Sequence, residues 1–259
     1  MAAGEGEESV QKAVRFLTEE RSSGALFKVD FRLRPYAEGV LAVPVKRYAE
    51  YYGKEAQGWE VQTLCRARAI AGAKEPMKEF WPAVEKRWRE QGADPKFVPE
   101  MLAMRERIAT ERVPQGQEER AYKTGRGGLI DVEFAAQAWQ MRQGLVETET
   151  AGVLKKMFKG EPEAARALQA GLAFWSSAEW WLRLDECRGG SLLPKPGPDR
   201  EWLAKICGEP DASSFLRKAG EISRETRKAY EEILRHLLHE NRRAAALCHY
   251  YPHAIYFLR

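Results

Sequence analysis

From Val45 onward, apolar residues recur at the three- and four-residue spacing of amphipathic helices. Glycine and proline interrupt this pattern and divide it into separate segments, with a Pro-rich connection at 191–198. The same spacing occurs near the N-terminus, over 9–20. The sequence therefore predicts a mainly α-helical fold, with helices over residues 9–20, 45–52, 57–71, 76–91, 96–111, 129–144, 147–158, 163–188, 198–207 and 212–246.

One segment has a different period. Residues 25–34, ALFKVDFRLR, alternate between apolar and polar side chains, so that Asp30, Arg32 and Arg34 share one face. This pattern predicts a half-buried β-strand. Because an isolated strand leaves its backbone groups unpaired, we expect it to pair with a short piece such as 39–43, or with a sheet that this chain does not contain.

The composition is that of a folded protein, with 44% hydrophobic and 31% charged residues. The net charge of +4 is a small difference between 42 basic and 38 acidic residues, which argues against a nucleic-acid partner. The four cysteines are far apart and have neither metal-site nor disulfide spacing. The sequence shows no signal peptide and no run of about 20 apolar residues. We therefore expect a cytoplasmic protein with reduced cysteines and no membrane partner.

The polar face of the predicted strand has the residue types of a metal–triphosphate site. A carboxylate such as Asp30 binds a hard cation or an attacking hydroxyl, and guanidinium groups such as Arg32 and Arg34 hold phosphate oxygens. The alternative is a solvated strand face whose charges pair with a neighbouring strand.

The segment 24–35, GALFKVDFRLRP, resembles the strand signature of glutamine synthetase adenylyltransferases. In that family the strand carries the third active-site carboxylate of a polymerase-β-like nucleotidyltransferase fold. The resemblance implies that Asp30 is a catalytic residue and a Mg²⁺ ligand. It also implies that Arg32 and Arg34 bind the phosphates of ATP or steady the strand.

Two further blocks resemble the same family, in the same order. Residues 59–68, WEVQTLCRAR, match a Trp-Glu pair followed by a helix with a basic-Ala-Arg end, which implicates Glu60 and Arg66 in nucleotide binding. Residues 123–134, KTGRGGLIDVEF, resemble a Gly-Gly-Ile-x-Asp-Ile-Glu-Phe segment. Three ordered blocks are a more specific signal than any one of them alone.

The residues of the third block are further candidates for phosphate or nucleotide binding: Gly125, Arg126, Gly127, Gly128, Asp131 and Glu133. Glycines allow positive φ and close backbone approach, and the N-terminus of the following helix can accept an anion. The alternative is a structural turn in which Asp131 and Glu133 complement the helix dipole. These two side chains are two positions apart and point to different faces of the helix, so they need not share a role.

One part of the family pattern is absent from the 259 residues. Polymerase-β-like enzymes need a Gly-Ser motif and an Asp-x-Asp pair before the strand, whereas the 29 residues before Asp30 contain no Asp. A lone carboxylate holds Mg²⁺ poorly. We therefore expect the chain to be inactive alone.

The resulting prediction is a partial nucleotidyltransferase domain over 1–44, a helical bundle over 45–234 and a C-terminal tail over 235–259. The resemblance implies transfer of AMP from ATP to a tyrosine of glutamine synthetase, or its removal, with Mg²⁺. Expected partners are glutamine synthetase and either a nitrogen-signalling protein or a segment with the missing carboxylates. The alternative is a non-catalytic helical module that binds glutamine synthetase or a nitrogen-signalling protein.

Overall fold

A computed structural model describes residues 3–20, 29–31, 33–35, 40–186 and 190–250; for residues 3–5, 185–186 and 241–250 it describes the helical backbone alone. Within these ranges there are a π-helical turn, Tyr51–Glu55, and two 3₁₀ turns, Leu64–Arg66 and Glu118–Arg120. The α-helices of the described part are α1 (Ala3–Thr18), α2 (Val45–Glu50), α3 (Gly58–Thr63), α4 (Glu75–Ala93), α5 (Phe97–Glu111), α6 (Leu129–Gln143), α7 (Thr150–Met157), α8 (Pro162–Glu186), α9 (Pro198–Ile206) and α10 (Ala212–Tyr250).

The prediction of a mainly α-helical fold is confirmed, and each predicted helix has a counterpart. The largest difference is at 57–71, where α3 ends at Thr63 and a 3₁₀ turn continues only to Arg66. The segment that follows contains Gly72, whose φ of 102° does not continue a helix.

The predicted strand is wrong for the residues that the structure describes. Residues 29–31 are irregular and 33–35 form a turn, in which the Arg34 N–H donates to the Phe31 carbonyl at 3.2 Å. No described segment is a strand, 40–43 included, so the alternating residues have no partner for a β-ladder within the part of the chain that the structure describes. Residues 25–28 and Arg32 lie outside the described part. The partial nucleotidyltransferase domain remains a prediction.

The chain divides into two compact units, Met1–Trp88 and Arg89–Arg259. The predicted boundaries at residues 44 and 234 were drawn from resemblance and remain predictions. None of the described helices is long and apolar enough to cross a bilayer.

The first unit has an aromatic core. Trp88 is 1% exposed and its indole N–H donates to the Val61 carbonyl at 3.1 Å. The Tyr48 ring packs 6.2 Å from the Tyr52 ring and 6.3 Å from the Phe80 ring, measured between centroids. Aromatic pairs at this distance contribute about 0.5–1.5 kcal/mol beyond the area that they bury. These contacts hold α2, α3 and the part of α4 from Glu75 to Trp88 against each other.

The second unit is built around the long helix α10, which packs on α8 and on α6. Small residues permit this packing: a Cβ added to Gly171 of α8 would lie 2.3 Å from the Thr226 hydroxyl oxygen of α10. Phe215, Leu203 and Leu193 are almost fully buried in the adjoining core. The resulting scaffold holds Gly125, Arg126, Gly127 and Gly128, which we call the glycine block, directly before α6.

Candidate functional site

The segment around Asp30 is a turn rather than a strand face. The Asp30 side chain is exposed, Arg34 is half-buried and Pro35 is buried. The Arg34 guanidinium donates to the Phe31 carbonyl at 3.2 Å. The same carbonyl thus accepts from both the backbone N–H and the side chain of Arg34. Arg32 lies outside the described residues. The structure therefore places Asp30, an exposed residue, and Arg34 a few residues apart at one turn.

Two tyrosines attach this turn to α3. The Tyr52 hydroxyl donates to the Leu33 carbonyl at 2.5 Å, and the Tyr51 hydroxyl donates to the Glu60 carboxylate at 2.6 Å. Burial is the main reason that the pKa of Tyr52 is raised, so its hydroxyl stays protonated and remains a donor. Both tyrosines lie in the π-helical turn Tyr51–Glu55, between α2 and α3.

Glu60 caps the start of α3. One carboxylate oxygen accepts from Tyr51, and the other accepts from the backbone N–H of Gln57 at 2.9 Å, which forms a capping box. The second family-matched residue, Arg66, lies beyond the other end of α3 and donates to the Cys65 carbonyl at 2.9 Å. These contacts give both residues local structural roles, and nucleotide binding by them remains a prediction.

The second unit explains why the third block needs glycine. Gly127 has φ of 75°, and a Cβ there would lie 2.0 Å from the Ser223 carbonyl oxygen of α10. A Cβ on Gly125 would lie 2.3 Å from the Ala121 carbonyl oxygen, and one on Gly128 would lie 2.4 Å from a carbonyl oxygen of the preceding turn. All three positions are in contact with backbone, which cannot move aside as a flexible side chain does.

The N–H groups of these glycines are bonded inside the unit. Gly125 donates to the Ala121 carbonyl at 2.9 Å, Gly127 to the Asp131 carboxylate at 2.6 Å and Gly128 to the Gly125 carbonyl at 3.1 Å. The N–H of Leu129, the first residue of α6, also donates to a backbone carbonyl, at 3.0 Å. These donors would be needed to hold a phosphate at a helix N-terminus. Their bonding favours the structural alternative for this block.

Asp131 is the centre of a buried polar cluster. Its side chain is 0% exposed, and Oδ1 accepts from the Nε of Arg105, which is 1% exposed. Oδ2 accepts from the Gly127 N–H and lies 3.4 Å from Arg227. A second Arg105 nitrogen donates to the Gly125 carbonyl at 2.7 Å. We call Asp131, Arg105 and Arg227 the Asp131 cluster; it joins α5, α6, α10 and the glycine block.

The two remaining residues of the third block lie apart from this cluster. Arg126 is exposed and pairs with Glu106 of α5. Glu133 is half-buried on α6, whereas Asp131 is fully buried, in agreement with the prediction that the two point to different faces.

Sequence reasoning missed Arg105 and Arg227. Arg105 follows Val98 and Met101 at helical spacing, on the face of α5 that is buried. A charged residue in that row is a signal for a buried partner, since unpaired charges are almost never fully buried. The sequence gives no comparable signal for Arg227. Its side chain is 25% exposed, and its guanidinium lies over the Tyr230 ring, 4.8 Å from the centroid.

The described residues do not by themselves form a metal centre. Nowhere in the described part do three or more His, Cys, Asp or Glu side chains group in a way that would hold an ion. The Cys65 thiol is buried, and burial raises its pKa to about 12, so it is neither a thiolate ligand nor a nucleophile. If Asp30 is a metal ligand, the other carboxylates of the site must therefore come from outside the described residues.

Comparison with known proteins identifies two matched regions. Residues 9–82 match the family model described as glutamate-ammonia ligase adenylyltransferase, and residues 100–250 match the model described as GlnD PII-uridylyltransferase. The Asp30 turn and Glu60 fall in the first region, and the Asp131 cluster falls in the second.

Curated relatives match along both regions together. The chain is similar to proteins named bifunctional glutamine synthetase adenylyltransferase/adenylyl-removing enzyme. That of Nocardia farcinica is 32% identical over 239 residues, which cover 87% of this chain and 24% of the relative. That of Mycobacterium leprae is 33% identical over 219 residues, covering 79% and 22%. That of Hahella chejuensis is 30% identical over 213 residues, covering 77% and 22%. The chain thus spans about a quarter of the length of these relatives.

Proposed function

Because this chain belongs to the glutamine synthetase adenylyltransferase family, we propose that it is the part of such an enzyme that carries the third active-site carboxylate and the helical domain behind it. The reaction that it serves is transfer of AMP from ATP to a tyrosine of glutamine synthetase, or removal of that AMP, in the cytoplasm. One observation carries the proposal: a single alignment with a bifunctional relative covers 87% of the chain.

In this proposal the exposed carboxylate of Asp30 is the catalytic group. Its position supports the role, since the turn that bears it is anchored to a packed unit through the hydrogen bond between Tyr52 and the Leu33 carbonyl. A carboxylate on a backbone fixed in this way is a suitable residue type for contact with a hydroxyl or a cation. Binding of phosphate oxygens by Arg32 and Arg34 enters the proposal through the family resemblance.

We propose that the 259 residues do not transfer AMP by themselves. The Gly-Ser motif and the Asp-x-Asp pair do not precede Asp30 in this sequence. The remaining carboxylates would come from another segment or a partner chain, and Mg²⁺ and ATP enter the proposal through the family alone. A nitrogen-signalling protein is the expected regulator.

Calorimetry tests the dependence on another segment. ATP with Mg²⁺ is titrated into the purified chain and into an Asp30→Ala variant. We expect no measurable binding by either protein, because a lone carboxylate does not place the ion that a triphosphate requires. Micromolar binding that is lost in the variant would show that a substantial site lies within these residues, which contradicts the proposed dependence.

A chimera tests the role of Asp30. Residues 9–250 of this chain replace the matching segment of the Nocardia farcinica relative, and labelled AMP transfer to glutamine synthetase is measured. We expect activity from the chimera and a loss of at least about 100-fold on Asp30→Asn, the scale of losing a group that acts on the transition state. Asp199→Asn, at an exposed position of α9, serves as the matched control. Equal activity of the Asp30→Asn chimera and its parent would rule out the catalytic role.

The alternative function is a non-catalytic helical module that binds glutamine synthetase. The observation that favours it is the internal bonding of the glycine block, in which the N–H groups of Gly125, Gly127 and Gly128 have partners inside the second unit. Sedimentation of the chain with purified glutamine synthetase tests this alternative. Stable binding together with an inactive but folded chimera would support the module, whereas an active chimera would support the enzyme part.

A further inference from the structure

The second unit contains a half-open cavity of about 980 Å³ that the proposed reaction does not use. It lies between the C-terminal end of α5, the segment before the glycine block, and the first turns of α10. Sites for small organic ligands occupy about 300–1,000 Å³ and are mostly apolar with a few polar groups. The cavity is therefore of the size that a small organic molecule fills.

Apolar residues of α10 and of the C-terminal end of α5 form one wall of the cavity. On α10, Leu216, Ala219 and Gly220 follow each other at helical spacing and face the cavity. Ala109, on the last turn of α5, and Val113, just beyond the end of that helix, also line the cavity. Ala109, Ala219 and Gly220 leave the space open, because longer side chains at these positions would fill it.

The aromatic floor of the cavity is fixed in place. The Trp175 indole N–H donates to the Gly127 carbonyl at 3.1 Å, and the Tyr122 hydroxyl donates to the Gly190 carbonyl at 2.9 Å. Both side chains are almost fully buried, at 2% and 3% exposure. Their polar atoms are therefore used within the unit, and the floor offers a ligand an apolar surface.

The acidic groups at the cavity have neighbours within the chain. Glu118 accepts a hydrogen bond from the Gly116 N–H at 3.1 Å. Glu119 interacts electrostatically with Arg200, opposing the lowering of the Arg200 pKa that burial causes. These carboxylates are thus partly compensated before any ligand enters.

The basic groups at the cavity differ from one another. Arg126 is ion-paired with Glu106. Arg217 makes no hydrogen bond or ion pair with any residue that the structure describes. Its charge adds only the smallest contribution to the lowered pKa of Asp211, which is caused first by a hydrogen bond from the Ser214 N–H. Arg217 is exposed at the cavity and its guanidinium is available to an anion.

We propose that this cavity is a second ligand site, which binds a small organic anion. The apolar body of the ligand lies against Ala109, Val113 and Leu216, and its carboxylate, phosphate or sulfonate group is bound by Arg217. Without a guanidinium, a cavity of this shape would bind apolar molecules according to their size alone. The guanidinium of Arg217 at its edge adds a preference for molecules that carry an anionic group. The site is built entirely from the second unit, so it does not depend on Asp30 or on the proposed reaction.

Two fluorescent probes of similar shape test the site on the full chain. Anilinonaphthalene sulfonate is anionic, and phenylnaphthylamine is its uncharged counterpart. We expect saturable binding of the sulfonate at one site per chain. Arg217→Gln should raise the dissociation constant of the sulfonate about tenfold, which corresponds to about 1.4 kcal/mol, and leave that of phenylnaphthylamine unchanged. Arg235→Gln, at an exposed position further along α10, is the charge-matched control.

A second substitution tests the cavity itself. Gly220→Met places a side chain at the wall, where an added Cβ would meet only the flexible end of Arg224 at 3.5 Å. We expect it to weaken both probes at least tenfold. Gly220→Ala adds the Cβ alone and should leave both affinities within about twofold of the parent. Replacing a helical glycine favours the helix, and thermal unfolding confirms that each variant is folded.

Three results would overturn the proposal. The first is the absence of saturable sulfonate binding by the parent chain. The second is unchanged binding of both probes in Gly220→Met. The third is an Arg217→Gln variant that either binds the sulfonate as the parent does or loses both probes alike. Because Arg217 is exposed, that variant remains interpretable even where Gly220→Met does not fold.

Discussion

Replacing Asp131 by asparagine tests the buried cluster that joins α5, α6, α10 and the glycine block. The substitution keeps the shape of the side chain and removes its charge. Arg105, which is 1% exposed, then becomes a buried cation without its carboxylate partner. The Gly127 N–H, now 2.6 Å from the carboxylate, can still donate to the asparagine oxygen. The asparagine NH₂ group then lies against the Arg105 guanidinium. Both groups are hydrogen-bond donors, so the bond between residues 105 and 131 is lost.

The expected loss in the free energy of unfolding follows from this geometry. Removing one partner of a buried ion pair costs about 3–5 kcal/mol. Because one hydrogen bond of the carboxylate survives, we expect the lower end, about 3 kcal/mol. For a unit of this size that corresponds to a fall in Tm of about 6–12 °C. Arg105→Met should cost less, on the order of 2 kcal/mol, since Asp131 keeps the Gly127 N–H and the nearby Arg227.

Urea unfolding monitored by far-ultraviolet circular dichroism measures these losses, and the double variant decides their cause. If the two residues act as a pair, Asp131→Asn with Arg105→Met should be less destabilised than the sum of the single variants by at least about 1 kcal/mol. The control is Glu111→Gln, which breaks an exposed pair with Arg107 at 3.9 Å and should cost no more than about 0.5 kcal/mol. Losses that add within about 0.5 kcal/mol would refute the assignment of Asp131 and Arg105 as a coupled pair.

Three further predictions concern other contacts. Gly127→Ala should lower the free energy of unfolding in urea by about 1–3 kcal/mol more than Gly116→Ala does. Both glycines have φ of 75°, but only a Cβ on Gly127 meets a carbonyl oxygen, at 2.0 Å. Equal losses would contradict the conclusion that this contact requires glycine at 127. Burial raises the pKa of Tyr122 to about 12 from its ordinary value near 10, so this tyrosine stabilises the fold below pH 10 and ceases to do so as the pH rises towards 12. Unfolding midpoints of the parent should therefore approach those of Tyr122→Phe between pH 10 and 12, and a constant difference would count against it. Tyr52→Phe removes the hydrogen bond to the Leu33 carbonyl and should lower stability by about 1 kcal/mol, with faster amide exchange of the turn around that carbonyl.

The helices could be predicted from sequence because periodicity is a local property. Residues 129–144 and 212–246 predicted α6 and α10 to within a few residues, since each has a continuous apolar face and a clear start. The segment 25–34 could not be assigned in the same way. Alternation shows that a strand would have two faces, but it does not show that a partner strand exists.

The candidate site was harder to predict because its contacts are non-local. Glycine at 125, 127 and 128 indicates a close approach, but the sequence does not distinguish a ligand from the carbonyl of Ser223, almost 100 residues later, as the neighbour. Arg105 was missed because a charged side chain is expected in solvent unless its partner is known. Its carboxylate, Asp131, was noticed only as part of a motif. Pairing the two requires the fold of the second unit.

The internal bonding of the glycine block also has a kinetic consequence. Because the N–H groups of Gly125, Gly127 and Gly128 are already bonded, their hydrogens exchange with solvent only when the loop opens. A phosphate that used these donors would have to wait for the same opening. Its observed association rate would therefore reach a plateau as its concentration rises, at the opening rate that hydrogen exchange gives under conditions where exchange is faster than reclosing. A ligand that enters the cavity beside α10 meets no such gate, and its association rate would rise in proportion to concentration.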